Sequence, residues 1–154
     1  ASIELDFPAK PLRPEAPPAE LAAALGFEPV LAAMSHFDAL VLAADEATVR
    51  RVTPDMARLR ALPVRGVIVT SLSAEAGFDF VSRFFAPSVG IDEDPVTGSA
   101  HCVLAPFWAE RLGRAELVGY QASARGGAVA VRVDGDRVHL AGRAVTVFRG
   151  EVLV

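Results

Sequence analysis

Residues 8–18 hold five prolines: Pro8, Pro11, Pro14, Pro17 and Pro18. Proline has no N–H to give to a ladder and fixes φ near −65°, so it is excluded from helix interiors and central strands. This segment therefore reads as an extended connector. It sets a short strand apart from everything that follows. Ile3, Leu5 and Phe7 share one face of a period-two pattern, so residues 2–7 are expected to form that strand. The core has to come from the residues beyond the connector.

Composition permits one. Of 154 residues, 52% are hydrophobic and 22% charged, enough for a packed core and too apolar for disorder. One domain, residues 1–154, is expected. Mean hydropathy is +0.36, which points to a buried interface with a partner. Yet no run approaches the ~20 apolar residues of a membrane helix; Gly66-Val67-Ile68-Val69 is typical of its short apolar runs. Net charge is −4, and no basic block extends beyond Arg50-Arg51. Neither a nucleic-acid nor a membrane partner is expected. The single cysteine, Cys102, excludes an intrachain disulfide and a cysteine-built zinc site. No basic-then-apolar leader opens the chain, which makes a cytoplasmic location the default expectation. A strand pattern starting at Ser2, with no initiator Met, suggests a chain cut from something longer.

Past the connector, Pro17-Pro18-Ala19-Glu20 opens an Ala- and Leu-rich helix that stops at Gly26. Residues 37–43 read as a strand, residues 45–52 as a short helix, and Thr53-Pro54-Asp55 as the cap of another through Arg60. Strands are expected at 65–71 and 78–85. After a turn-rich loop at 92–99, residues 99–112 form a helix closed by Gly113, with a kink expected at Pro106. Four strands follow, at 117–123, 128–133, 137–140 and 144–153, the second and third joined by the turn Val133-Asp134-Gly135-Asp136-Arg137. The mixture is α+β.

Chemistry concentrates in Gly90-Ile91-Asp92-Glu93-Asp94-Pro95-Val96-Thr97-Gly98-Ser99-Ala100-His101-Cys102. Three acids precede a helix whose first turn is Thr97, Gly98, Ser99 and Ala100. Free N–H groups and the helix dipole make such a turn an anion site. A substrate carboxylate would sit on those N–H groups with the Ser99 hydroxyl as a further donor, and Asp94 beside it would move a proton. On spacing alone a second reading stays open, in which the acids cap the helix or complement its dipole. His101 either contacts the ligand or orients the loop. Cys102 is expected to be packed core, and His139 to lie on the exposed face of a strand. Arg125-Gly126-Gly127 is expected to serve a bulge. No Gly-x-Ser-x-Gly elbow and no phosphate-loop spacing surround Ser99.

The same stretch resembles the signature of the phenazine biosynthesis protein-like (PhzF-like) isomerase family. The resemblance runs through Phe80-Val81-Ser82-Arg83-Phe84-Phe85-Ala86-Pro87, Glu93 to Cys102, Trp108-Ala109-Glu110-Arg111-Leu112-Gly113, Gln121-Ala122-Ser123-Ala124-Arg125-Gly126-Gly127 and Gly142-Arg143-Ala144-Val145-Thr146-Val147. Leu5-Asp6-Phe7-Pro8-Ala9 resembles the strand that begins the family's second half. The resemblance implies a diaminopimelate epimerase-like lobe, a curved, mostly antiparallel sheet wrapped around a central helix that starts near Ser99. It implies a site between two lobes, no cofactor and no metal, and proton transfer on a small carboxylate. Asp94 would be the proton carrier or electrostatic partner, and Thr97, Gly98, Ser99, Ala100 and His101 would bind substrate. The family's first lobe supplies a glutamate, and nothing in this chain resembles its motif. Half a site is thus expected here, with the first lobe of the same protein or a second copy of this chain as partner. The alternative is a non-catalytic binding or scaffold domain that keeps the anion pocket. Phe84, Phe85, Phe107 and Trp108 are expected near the lobe interface, leaving an apolar face that makes an isolated monomer unfavourable.

Overall fold

A computed structural model describes residues 2–152. Its order is β1 (Ser2–Pro8), α1 (Leu21–Leu25), β2 (Leu31–Met34), β3 (Asp38–Leu42), α2 (Glu46–Arg51), α3 (Met56–Ala61), β4 (Gly66–Leu72), β5 (Phe80–Phe85), a 3-10 turn (Pro87–Val89), α4 (Gly98–Leu112), β6 (Glu116–Gln121), β7 (Gly127–Asp134) and β8 (Arg137–Arg143). The strands form one sheet in the order β1-β8-β7-β6-β5-β4-β3-β2. Only β3–β4 and β5–β6 are parallel; the other neighbours run antiparallel. This is the α+β, mostly antiparallel architecture that the sequence implies.

Strand alternation divides the apolar side chains between two cores. Ile68, Phe80, Phe84, Leu117, Val131 and Leu140 pack against α4 on one face. Val67, Val69, Val81 and Phe85 pack with Leu21, Val49 and Leu59 of α1, α2 and α3 on the other. The sheet is thus covered on both sides, with α4 buried nearly all round from Ala100 to Trp108, as expected of a central helix. Phe80 stacks on Trp108 with ring centres 6.0 Å apart. Gly119, on β6 beside Phe80, makes room for that stack, because a Cβ there would collide with the Phe80 ring.

The proline connector has a specific job. Pro106 sits inside α4 and has no N–H, so it cannot satisfy the carbonyl four residues earlier, that of Cys102. Lys10 N–H donates to that oxygen at 2.9 Å. The connector therefore repairs the bond lost to proline, and α4 runs unbroken from Gly98 to Leu112. Gly113 closes it at φ 66°, donating to the Ala109 carbonyl. Asp45 and Asp55 cap α2 and α3 by accepting from Thr48 N–H and from Ala57 and Arg58 N–H.

Two expectations need correction, and one strand was not expected at all. The strand over 144–153 is not formed: residues 144–152 carry no regular structure, and Leu153 lies outside the described residues. The alternation of Val145 and Val147 is real, but the ladders that β8 makes with β1 and β7 end at Arg143 and Ala141, and the tail beyond them joins no strand of the sheet. Phe84, Phe85, Phe107 and Trp108 do not crowd an interface; all four are 5% exposed or less. Phe84 faces α4, Phe107 and Trp108 lie on α4 within the same core, and Phe85 faces the helices behind the sheet. The exposed apolar side chains include Ile3, Leu5 and Phe7 on the edge strand β1, and Val145, Val147, Phe148 and Val152 in the tail. Finally, β2 arises from the Ala-rich Leu31–Met34, which has no alternation to announce it. Among the described residues no helix is long and apolar enough to cross a membrane.

Candidate active site

The three acids before α4 have three different partners. Asp92 is exposed and lies 3.5 Å from Arg60. Glu93 takes a two-pronged bond from Arg83, at 2.7 and 2.9 Å. Arg83 also donates to the Val52 carbonyl at 2.7 Å, at the C-terminal end of α2, where the dipole favours a cation. The loop is thereby pinned to β5 and to the helix behind it. Asp94 alone turns toward the start of α4. Its Oδ2 accepts from the Thr97 hydroxyl in a very short hydrogen bond.

Gln121 holds that arrangement. It is fully buried at the end of β6. Its Oε1 accepts from Thr97 N–H at 2.8 Å, and its Nε2 donates to the Asp94 carbonyl at 2.7 Å and to Thr97 Oγ1 at 3.1 Å. With Thr97 Oγ1 accepting from Gln121, its proton goes to Asp94. Asp94 N–H donates to the Phe84 carbonyl at 3.0 Å. Every backbone polar group of Asp94 is therefore fixed, and its half-buried carboxylate has one oxygen, Oδ1, outside these bonds.

Among the described residues no side chain caps α4. None of the three acids accepts from a first-turn N–H of α4, so they do not cap it, while Asp94 beside the helix start still suits the dipole-partner reading. The N–H groups of Gly98, Ser99 and Ala100 precede the first intrahelical donor, His101 N–H, and, with the positive dipole end, suit an anion. Gly98 and Ser99 are exposed, whereas the Ala100 side chain is buried. Ser99 Oγ accepts from Arg65 Nη2 at 3.0 Å, which leaves the Ser99 proton free to be donated. Arg65 is itself clamped by Asp38 at 2.9 and 2.5 Å. The Asp38 side chain is 2% exposed, and its bonds push the Arg65 guanidinium above its ordinary value, against burial.

On the other flank of Gly98 a cavity of about 640 Å³ opens, walled by Ile3, Leu5, Phe7, Val96 and Leu140 with Arg125 and Arg143 among its polar members. Gly126, at φ 70°, and Gly127 let β7 start against the loop; a Cβ at Gly127 would strike Val96. Ser123 Oγ ties the same turn to the Pro95 carbonyl at 2.8 Å.

The structure places Asp94, Thr97, Gly98 and Ser99 together at the start of α4, where Gly98 lines the cavity and the other three do not. His101 does not open to solvent there. It is fully buried, with Nδ1 2.8 Å from the Thr97 carbonyl, so of its two expected roles the geometry has the loop-orienting one. Cys102 is core, and burial pushes its thiol above the ordinary value. His139 is half-buried beside Glu4 at 3.0 Å rather than free on its strand. Sequence reasoning missed Gln121, Arg65 and Asp38. Gln121 had a signal: it falls in register with Leu117 and Gly119 on the core-facing side of β6, where a polar side chain needs a reason. Among the described residues no three metal-ligating side chains gather.

Burial holds the His101 imidazole below its ordinary 6.5, against the raising effect of its bond to Thr97. The unfolded chain then takes up a proton near pH 6.5 that the folded chain refuses. Stability is accordingly full above that pH and declines as pH falls below it. Urea midpoints measured at pH 7.5 and 5.5 are expected to be lower at 5.5, with the gap narrowed in His101→Asn. Equal gaps in the two proteins would contradict this origin.

Known proteins resemble this chain in sequence and in fold. An uncharacterized isomerase of Halalkalibacterium halodurans is 45% identical over 153 residues, covering 99% of this chain and 58% of that protein. An uncharacterized isomerase of Pseudomonas aeruginosa is 51% identical over 150 residues, covering 97% of this chain and 57% of its own length. The crystal structure of a phenazine biosynthesis PhzF-family protein of Enterococcus faecalis superposes with a TM-score of 0.85 at 40% identity, over 99% of this chain and 58% of that one. The chain thus spans somewhat over half the length of these relatives. The family model described as phenazine biosynthesis-like protein matches residues 13–150. With that match and these relatives, the chain belongs to the phenazine biosynthesis-like (PhzC-PhzF) family.

Proposed function

We propose that this chain forms one lobe of a cofactor-independent isomerase that moves a proton on a small carboxylate. One observation carries the reading: an uncapped α4 N-terminus stands beside Asp94, whose position Thr97 and Gln121 fix. The substrate carboxylate sits on the N–H groups of Gly98, Ser99 and Ala100 and takes a hydrogen bond from Ser99. Arg65, bonded to Ser99, adds positive charge nearby. Asp94, with Oδ1 left over, carries the proton or stabilises the charge that develops. The names of the relatives, isomerases of otherwise unstated reaction, support the reaction class.

The second proton-transferring acid comes from the first lobe, and the apolar surface of Ile3, Leu5 and Phe7 is the face that receives that lobe or a second copy of this chain. Exposed apolar surface of this kind marks interaction sites. A panel of small carboxylates incubated in D2O tests this, using a protein of the relatives' full length that carries this lobe. Deuterium entering a carbon-bound position of one of them supports the isomerase. This chain alone is expected to give little or no exchange, because each acid–base group contributes about 10²–10⁴-fold. Carboxylate binding with no exchange by the full-length protein would favour the non-catalytic binding module instead.

A further inference from the structure

Among the described residues two buried side-chain atoms have no hydrogen-bond partner, Ser82 Oγ and His101 Nε2. They belong to facing elements. Ser82 is 2% exposed and lies on β5 between Phe80 and Phe84, the two residues of that strand that pack against α4. His101 is fully buried on α4, its ring centre 6.1 Å from that of Phe80. In strand register Ser82 stands between Thr70 of β4 and Gln121 of β6. Both neighbours are already committed. Thr70 Oγ1 donates to the Val81 carbonyl and accepts from Trp108 Nε1. The Gln121 amide is spent on Asp94 and Thr97.

The proton on His101 can be assigned from its partner. The Thr97 carbonyl only accepts, so Nδ1 carries the hydrogen and Nε2 is left as a buried lone pair. Ser82 offers a hydroxyl that can donate as well as accept. Buried polar atoms left over in this way are the ordinary partners of internal water.

We propose that Ser82 Oγ and His101 Nε2 share one buried water, making Ser82 and His101 positioning residues that hold Thr97, and through it Asp94, against the sheet. The polar row would then run from Ser82 through the water and His101 to Thr97. His101 is kept as a single neutral tautomer, and the Thr97 carbonyl is held at the turn where the Asp94 loop becomes α4. The consequence for Asp94 rests on the function proposed above, but the water site does not.

The test uses this chain. A crystal structure fine enough to show ordered water should place one within hydrogen-bond distance of both atoms. Long-range ¹H–¹⁵N spectra should show His101 protonated on Nδ1 only. Ser82→Ala should shift the Nε2 resonance and speed exchange of the Thr97 amide by about tenfold, the equivalent of one lost hydrogen bond. Ser82→Thr, which keeps the hydroxyl, should restore both. A His101 protonated on Nε2, a Ser82 hydroxyl turned onto a strand carbonyl with no water present, or unchanged Thr97 exchange in Ser82→Ala would each overturn the proposal. If Ser82→Ala does not fold, the water and the tautomer of the unaltered chain decide. A full-length Asp94→Asn protein that kept its activity would remove the function proposed above while leaving the water site standing.

Discussion

Asp94→Asn, placed in a protein of the relatives' full length that carries this lobe, is expected to lower turnover about 10²–10⁴-fold with its fold intact. Asparagine keeps the shape of aspartate, and its Oδ1 still accepts from the Thr97 hydroxyl, so the bonds that Gln121 makes to the loop survive. What disappears is a group able to take and return a proton. The loss should fall on kcat more than on KM, because the carboxylate-binding N–H groups of α4 are untouched. Steady-state kinetics with circular dichroism as the fold control would read this. A variant with full turnover would return Asp94 to a purely structural role at the turn.

Arg65→Met should cost roughly 3 kcal/mol of stability. Breaking a buried ion pair by removing one partner costs about 3–5 kcal/mol, because the other charge stays behind. Here the carboxylate left behind belongs to Asp38, whose side chain is 2% exposed. Arg65 is 35% exposed, so water can approach once it is gone, which sets the expectation at the low end. The double variant Arg65→Met with Asp38→Asn should recover much of the loss, since no buried charge then lacks a partner. Denaturant melts of the three proteins decide it; equal losses in the single and double variants would show that packing, not charge, was responsible. Ser99 also loses the donor on its Oγ in both, so any anion affinity of the α4 N-terminus should fall in both.

Much of the fold is legible in the residues, because the signals are local. Asp45, Asp55, Gly26 and Gly113 mark helix ends, and each sits at the end it marks. Local pattern finds β1 by period-two alternation and β4, β5, β7 and β8 as short β-rich runs, to within a few residues. It fails in both directions where pairing decides. Leu31–Met34 becomes a strand because β3 offers it an antiparallel edge, although alanines suggest nothing of the kind. The tail at 144–152 has the alternation but runs past the ends of the ladders that hold β8. The site was half legible for a similar reason. Asp94 and the small-residue turn are contiguous in sequence and could be read there. Gln121 is 27 residues from Asp94 and Arg65 is 34 from Ser99; only the strand order brings them together. Likewise, nothing local says that the Lys10 amide repairs what Pro106 breaks.

The most direct test is a crystal structure of the chain grown with benzoate, a simple carboxylate. Its carboxylate is expected at the start of α4, within hydrogen-bond distance of at least two of the Gly98, Ser99 and Ala100 N–H groups and of Ser99 Oγ, with Asp94 beside it. Benzoate bound elsewhere while those N–H groups are met by a protein side chain would contradict the reading of α4 as the carboxylate-holding half of an active site.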